Sequence, residues 1–325
     1  MHFCILGTVE IHDEASGRRV SPTGSKQRAL LGALVVKAGH VLSSHRLIDE
    51  LWGEHPPANA GNALQAHIAR LRRLLEEVSP GSDRAHISTH SLGYLLHTGP
   101  EPTDADAFHR LSAQGRAVVT SDPERAITLL RDALSLWRGP ALHGSISGDI
   151  CMAEAAQLEE NRLVALETLY DASLRASLHE DITGELEELT TDHPVRERFY
   201  DLLMVALYRC GRQAEALGVY ERARMRLVHE LGVEPGPALR NRVQEILSHA
   251  PELNPPSPRP LAPVIGSIEA APQDAAPEQP TEATVLGIGD ELARLRRRLE
   301  GLAREQEALA RRFAQLSARA AAATS

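Results

Sequence analysis

The sequence predicts a mainly α-helical protein with a small region of mixed α and β structure at its N-terminus. Ala and Leu dominate the apolar residues, and aromatic residues make up only 3% of the 325 residues, a balance that favours helices over sheets. Short β-rich runs occur only in the first hundred residues, whereas helix-period apolar positions follow one another from residue 104 to residue 248. The length suits two modest domains with extensions.

Residues 1–99 combine strand and helix signals in a fixed order. Glycines and the pair Pro56-Pro57 interrupt the helical pattern and divide it into separate segments. Two of these segments are preceded by serines that can cap a helix N-terminus. The pattern predicts a β-rich run at 3–11 that pairs back with 19–20, helices at 26–38, 44–52 and 58–78, and a hairpin at 87–96. A sheet, three helices and a terminal hairpin predict a winged helix-turn-helix.

The third of these helices is amphipathic. Its apolar residues fall on one face at helical spacing, and its amide and guanidinium side chains point the other way over small residues. The apolar face holds Leu64, Ile68, Leu71 and Leu75; the outward face holds Asn62, Gln65, Ala66, Ala69, Arg70, Arg72 and Arg73. A helix of this kind suits the DNA major groove, where Asn and Gln read adenine edges and Arg reads guanine or binds phosphate.

Residues 100–249 predict a tetratricopeptide-like all-α domain. Seven helices are expected, and the segment 202–220 has the glycine turn and small-residue contacts of a helical hairpin. One such hairpin cannot bury its own apolar face, so neighbouring helices must stack on it. The expected helices lie at 104–119, 123–137, 150–179, 182–191, 195–210, 213–230 and 237–248.

The last part of the chain divides into two segments. Residues 250–284 are rich in proline and predict a disordered linker. Residues 285–325 carry apolar residues in alternating steps of four and three, which predicts a coiled-coil helix and favours a homodimer or higher self-association. Docking of this helix on the middle domain is the alternative. The expected oligomerisation residues are Leu292, Leu295, Leu299, Leu302, Leu309, Phe313 and Leu316.

Charge and composition exclude several classes of protein. The net charge of -9 arises in residues 100–250, whereas residues 1–99 carry +1 and nine of the fifteen histidines. Three widely spaced cysteines favour neither a disulfide framework nor a metal site, and no phosphate-binding loop or catalytic set is evident, so we expect no cofactor and no enzymatic activity. The absence of a leader and of a long apolar window favours the reducing cytoplasm, with nucleoid association, over a membrane.

The ordered motifs of the first two segments resemble the Streptomyces antibiotic regulatory protein family. The N-terminal motifs are Leu6-Gly7, Arg28-Ala29-Leu30-Leu31, Leu51-Trp52-Gly53, Pro56-Pro57, Arg70-Leu71-Arg72-Arg73 and Gly93-Tyr94. The middle segment resembles the bacterial transcriptional activation domain through Leu136-Trp137-Arg138-Gly139, His193-Pro194, Tyr208-Arg209-x-Gly211-Arg212 and Glu230-Leu231-Gly232. One departure is Ser177–Asp181, which stands where the family usually has a Gly-Arg-His turn.

The resemblance implies an activator of a secondary-metabolite gene cluster that binds direct repeats of promoter DNA near the -35 region and contacts RNA polymerase and its sigma factor. Besides the third helix, His90, Ser91 and Tyr94 of the hairpin, and Lys26 and Arg28 of the first helix, are candidate DNA contacts. Solvation is the alternative for the polar hairpin residues, and helix-terminal capping and solubility are the alternatives for Lys26 and Arg28.

A second interpretation makes the chain a helical-repeat adaptor for a protein partner, with weak or lost DNA binding. The intact run Arg70-Leu71-Arg72-Arg73 argues against it.

Overall fold

The computed structural model describes residues 2–13, 17–78, 86–98, 103–145 and 148–254. The predicted disorder is wrong for residues 250–254, the start of the predicted linker, where Pro251–Leu253 forms a 3-10 turn and Leu253 is buried. The rest of the predicted linker and the predicted coiled-coil segment, with all its oligomerisation residues, lie outside the described ranges. The mainly α fold class is confirmed for the described part of the chain.

The chain begins with a three-stranded antiparallel sheet. It consists of β1 (His2–Cys4), β2 (Glu10–Asp13) and β3 (Arg18–Val20), with Phe3 opposite Ile11 and Ile11 opposite Val20. The predicted β-rich run at 3–11 contains two strands, β1 and the start of β2, which are separated around Gly7 at a φ of 146°.

Three helices and a second sheet complete the N-terminal module. The helices are α1 (Ser25–Val36), α2 (Ser44–Trp52) and α3 (Ala60–Val78); the strands β4 (Leu42–Ser43), β5 (His86–Thr89) and β6 (Gly93–His97) pair in the order β4-β6-β5. We call β5, β6 and their turn the wing. Gly93 permits the close approach of β4 to the wing, because an added Cβ would stand 1.9 Å from the Leu42 carbonyl oxygen. The arrangement is a winged helix-turn-helix.

Seven α-helices follow in the described part of the chain, paired as antiparallel neighbours. Ion pairs join them, as where Arg196 bonds Glu160 and Glu167 of α6, and Arg242 bonds the buried Asp201 of α8. The helices are α4 (Asp104–Val118), α5 (Pro123–Ser135), α6 (Asp149–Arg175), α7 (Thr183–Asp192), α8 (Glu197–Arg209), α9 (Gln213–Leu231) and α10 (Pro237–Leu247), with a final 3-10 turn at Pro251–Leu253. No helix in the described ranges has the length and apolar content needed to cross a bilayer.

The N-terminal module and the helical domain share one apolar core. Phe3, Leu6 and Leu30 belong to the same buried cluster as Phe108 of α4 and Leu158 of α6. The segment between α5 and α6 adds main-chain bonds, with the amides of Arg138, Leu142 and His143 donating to the carbonyls of Leu6, Ile5 and Gly7 at 2.8–2.9 Å. The two parts therefore meet through backbone as well as side chains.

Two buried carboxylates cross this junction. Glu50 of α2 accepts hydrogen bonds from the amides of Ile150 (2.8 Å) and Cys151 (3.0 Å) in the first turn of α6. Asp104 accepts from the amides of Ile5 (2.7 Å) and Leu6 (3.1 Å).

Arg138 completes the site around Asp104. Its guanidinium bonds Asp104 at 3.1 Å and Glu10 of β2 at 2.7 Å. Burial raises the pKa of Asp104, and the backbone amides and Arg138 oppose that shift by stabilising the ionised form.

The end of α6 carries a left-handed residue that is not glycine. Ser177 has a φ of 62°, and the Leu178 amide donates to the Ser173 carbonyl at 2.9 Å in the pattern of a glycine-ended helix. The helix therefore ends with a left-handed serine at a position where glycine is the usual residue.

Replacing Ser177 with glycine is expected to raise the free energy of unfolding by about 0.5–1 kcal/mol. A left-handed backbone costs an L-residue roughly 1–2 kcal/mol, and the added freedom of glycine in the unfolded chain offsets part of the gain. Urea unfolding followed by circular dichroism measures the change.

Gly211→Ser is the matched control for this substitution. Gly211 ends α8 at a φ of 75° with the same bond pattern, from the Arg212 amide to the Leu207 carbonyl, and an added Cβ meets no atom within 4 Å. It should lose about as much stability as Ser177→Gly gains. Equal stability of Ser177→Gly and the wild type would show that this turn is unstrained.

Candidate nucleic-acid interface

The exposed face of α3 carries the polar residues that the sequence placed there. Asn62, Gln65, Arg70 and Arg73 are exposed, together with Ala66 and Arg72, and Ala69 is half-buried. The opposite residues Leu64, Ile68, Leu71 and Leu75 are all buried in the core. The amphipathic division of the helix is therefore as predicted, while DNA contact by its outer residues stays a prediction.

A buried amide fixes α3 against α1. The side-chain amide of Gln27 donates to Nδ1 of His67 at 2.8 Å and lies 3.3 Å from the His67 carbonyl oxygen. Burial lowers the pKa of His67, and the charges of Arg70 and Lys26 lower it further. His67 is thus held as a neutral acceptor, which orients α3 without adding charge to it.

The three arginines of α3 have different surroundings. Arg72 joins the helix to the wing, because its Nε donates to the Ile87 carbonyl at 2.9 Å and its Nη2 to Oγ1 of Thr89 at 2.7 Å. Arg70 and Arg73 have no hydrogen-bond or ion-pair partner within the part of the chain that the structure describes. The structure therefore gives Arg72 a positioning role and leaves Arg70 and Arg73 exposed to an anionic ligand.

The wing tip is held in place from several sides. His90 and Gly93 exchange backbone hydrogen bonds at 2.8 and 3.2 Å, and the Ser44 amide at the start of α2 donates to the Leu92 carbonyl at 3.0 Å. His90, Ser91 and Leu92 are exposed at this tip. The predicted contacts His90 and Ser91 are thus accessible, and a backbone hydrogen bond links the tip to the start of α2.

Tyr94 requires a correction. Its side chain is only 8% exposed, belongs to the shared core and stands opposite Leu42 of β4. Residues of β6 alternate between the two faces of the sheet, and Tyr94 falls on the inner one. Its aromatic ring packs in the core and offers DNA no contact surface.

Lys26 and Arg28 have hydrogen-bond partners within the protein. The Lys26 ammonium donates to the Leu51 carbonyl at the end of α2, and Nε of Arg28 donates to the Gly144 carbonyl of the helical domain at 3.4 Å. Both cations bond carbonyl groups of neighbouring elements, Lys26 at the negative end of a helix dipole. They link α1 to its neighbours, and DNA contact by either residue stays a prediction.

Sequence reasoning missed part of the wing. Ser88 and His97 join His90 in one hydrogen-bonded group, with Oγ of Ser88 at 3.1 Å from Nε2 of His90 and 3.0 Å from Nε2 of His97. The signal was the period-two spacing of His86, Ser88 and His90, which places His86 and Ser88 on one face of β5. His97 lies at the end of β6, and strand pairing places it opposite His86.

Comparisons with known proteins agree with this architecture. Residues 18–96 match the family model described as "Transcriptional regulatory protein, C terminal", and residues 103–247 match "Bacterial transcriptional activator domain". The transcriptional regulator RedD of Streptomyces coelicolor is 44% identical over 82% of this chain and 77% of its own length. The regulatory protein DnrI of Streptomyces peucetius is 37% identical over 78% of this chain and 94% of its own.

The chain belongs to the Streptomyces antibiotic regulatory protein family of transcriptional activators. A solved structure of Mycobacterium tuberculosis EmbR, in complex with a low-affinity phosphopeptide, resembles this activator with a TM-score of 0.71 at 30% identity. The match covers 77% of this chain and 65% of the EmbR chain. Within the described residues, no group of His, Cys, Asp and Glu side chains is arranged to hold a metal ion.

Arg73→Ala is expected to weaken binding of this activator to every DNA duplex alike. Removing one arginine from a DNA phosphate should lower the slope of log affinity against log salt by about 0.9. Fluorescence anisotropy across a salt series, with the full chain, measures both quantities. An unchanged slope would remove Arg73 from the interface.

Gln65→Ala is the matched control on the same exposed face. It removes no charge, so the salt slope should stay as in the wild type, while preference at particular base pairs falls by about 1–3 kcal/mol. Uniform weakening across sequences would show that Gln65 does not read bases.

Proposed function

We propose that this protein activates transcription of a secondary-metabolite biosynthetic gene cluster by binding direct repeats near the -35 region and recruiting RNA polymerase. The observation that carries the proposal is the exposed polar face of α3, with Asn62 and Gln65 ahead of Arg70 and Arg73, on a helix fixed to both α1 and the wing. Side-chain amides can form hydrogen bonds with base edges, and guanidinium groups can form them with phosphate or guanine.

The charge distribution supports this assignment of DNA to the N-terminal module. Residues 1–99 carry a net +1 and most of the histidines, whereas the helical domain is strongly acidic. The negative charge of the helical domain repels a DNA duplex, whereas the N-terminal module does not. This difference orients the protein on DNA. The acidic domain is then left facing a protein partner, which we propose is the polymerase with its sigma factor.

Binding to direct repeats requires two copies on one duplex. We propose that the two copies lie on the same side of the DNA, and that residues 285–325 bring them together as a homodimer or larger assembly. Cytoplasmic localisation and association with the nucleoid follow from the proposed target.

Spacing of the repeats tests the proposal. Two copies on one side of the duplex need repeats separated by about one helical turn or a multiple of it, roughly 10 base pairs. Inserting about 5 base pairs between the repeats should abolish activation in a reconstituted transcription assay, and inserting about 10 should restore most of it. The full chain is used because the module shares its core with the helical domain.

Activation that is indifferent to the half-turn insertion would contradict side-by-side binding. Activation that survives Asn62→Ala, Gln65→Ala, Arg70→Ala and Arg73→Ala combined would contradict DNA recognition by α3.

A further inference from the structure

The helical domain contains a cleft that DNA recognition by α3 leaves unused. It opens where α6, α8 and α10 meet the final 3-10 turn, and its volume is about 410 Å³. We call it the arginine cleft, because its lining includes the four arginines Arg175, Arg198, Arg209 and Arg242. Other lining residues are apolar and buried, namely Leu174, Leu202, Val205 and Leu253.

All of these arginines except Arg209 belong to one ion-pair network. Each arginine of the network bonds a carboxylate oxygen at 2.5–2.7 Å. The cations are Arg175, Arg198 and Arg242, and the carboxylates are Asp171, Asp201 and Glu245. The positive and negative charges of the network balance, so it adds no net charge to the cleft.

Arg209 stands outside this network. Its guanidinium donates to the main-chain carbonyls of Leu174, Leu253 (2.8 Å) and Asn254 (3.4 Å), and in the described ranges it bonds no carboxylate. Burial lowers the pKa of Arg209, and the charge of Arg242 lowers it further. A guanidinium has five N–H donors, so donors remain for a further acceptor. Arg209 is thus a partly buried cation that no bonded carboxylate neutralises.

Glu252 lines the same cleft without joining the network. It belongs to the final 3-10 turn, is exposed, and makes no hydrogen bond or ion pair within the part of the chain that the structure describes. An anion in the cleft would therefore be attracted by Arg209 and repelled by the unpaired carboxylate of Glu252.

We infer that the arginine cleft binds a small organic acid, with its carboxylate on Arg209 and its hydrocarbon part against the buried leucines and valine. The volume of the cleft lies in the range of small-molecule sites, about 300–1,000 Å³. Guanidinium groups bind carboxylates through charge-assisted hydrogen bonds, and the apolar lining favours a ligand with hydrocarbon over an inorganic anion. The inference goes beyond the proposed function, which assigns no small molecule to the helical domain.

Isothermal titration calorimetry of the full chain with octanoate tests the inference. Octanoate combines a carboxylate with a flexible hydrocarbon chain, and it should bind to a single saturable site. Octan-1-ol has the same chain without the charge and should bind at least about tenfold more weakly, because it loses a charged hydrogen bond. Inorganic phosphate should also bind at least about tenfold more weakly, because it covers none of the apolar lining.

Substitutions at two positions in the cleft should change the affinity for octanoate in opposite directions. Arg209→Gln should weaken binding by about tenfold or more, because it removes the cation. Glu252→Gln should tighten binding by about two- to fivefold, because it removes a repelling charge.

Glu221→Gln is the matched control for Glu252→Gln. Glu221 is an exposed residue of α9 outside the cleft, and it too makes no hydrogen bond or ion pair in the described ranges. This variant should bind octanoate as the wild type does.

Glu252→Gln keeps the test decisive if Arg209→Gln fails to fold, since Glu252 has no bond to lose. The absence of saturable octanoate binding, or an affinity that neither cleft substitution changes, overturns the inference. Octan-1-ol that binds as well as octanoate would show an apolar cleft without charge recognition. Phosphate that binds more tightly than octanoate would show a site for inorganic anions, and either result also overturns the inference.

Discussion

Glu50 and Asp104 tie the module that carries the recognition helix to the domain that follows it. Both carboxylates are buried, and each accepts two backbone amides from the other side of the junction. A buried ionised carboxylate is tolerated only when hydrogen bonds replace its lost hydration, so the two halves must stay in register to keep these groups satisfied. Separating the two halves would break these hydrogen bonds, and a hydrogen bond to a charged group contributes about 1.5–3 kcal/mol.

The same constraint shapes how the activator works. Gly148 allows α2 to approach α6, because an added Cβ would stand 2.5 Å from Cα of Glu50, and Gly32 of α1 lies against Cys151 and Leu142 in the same way. Because the core is continuous across the junction, the orientation of α3 is linked to that of the acidic helical domain within the described residues. In the proposed function, this link would set the direction of the helical domain on a bound duplex. Removing the helical domain would expose the core of the module.

Most of the fold could be predicted from the local periodicity of apolar residues. The features that could not be predicted depend on contacts between residues that are far apart in the sequence. The buried and exposed faces of α3 follow from a period of 3.6 residues, which needs no tertiary information. The prediction for Tyr94 was wrong because its burial depends on pairing with Leu42 of β4, which lies far from it in the chain. The partner of Arg28 was equally hidden from the sequence, since it is a carbonyl 116 residues away. Glu50 gave no signal in the sequence, since its amide partners lie 100 and 101 residues further along.

Amide hydrogen exchange at the start of α6 tests the rigid junction most directly. First-turn amides have no partner within their helix and normally exchange quickly, as those of Ala214 and Glu215 in the uncapped first turn of α9 should. The amides of Ile150 and Cys151 should instead be protected as strongly as the middle of α6, and Glu50→Ala should remove that protection while α9 is unchanged. Exchange of Ile150 and Cys151 as fast as that of Ala214 and Glu215 in the wild type would contradict the account.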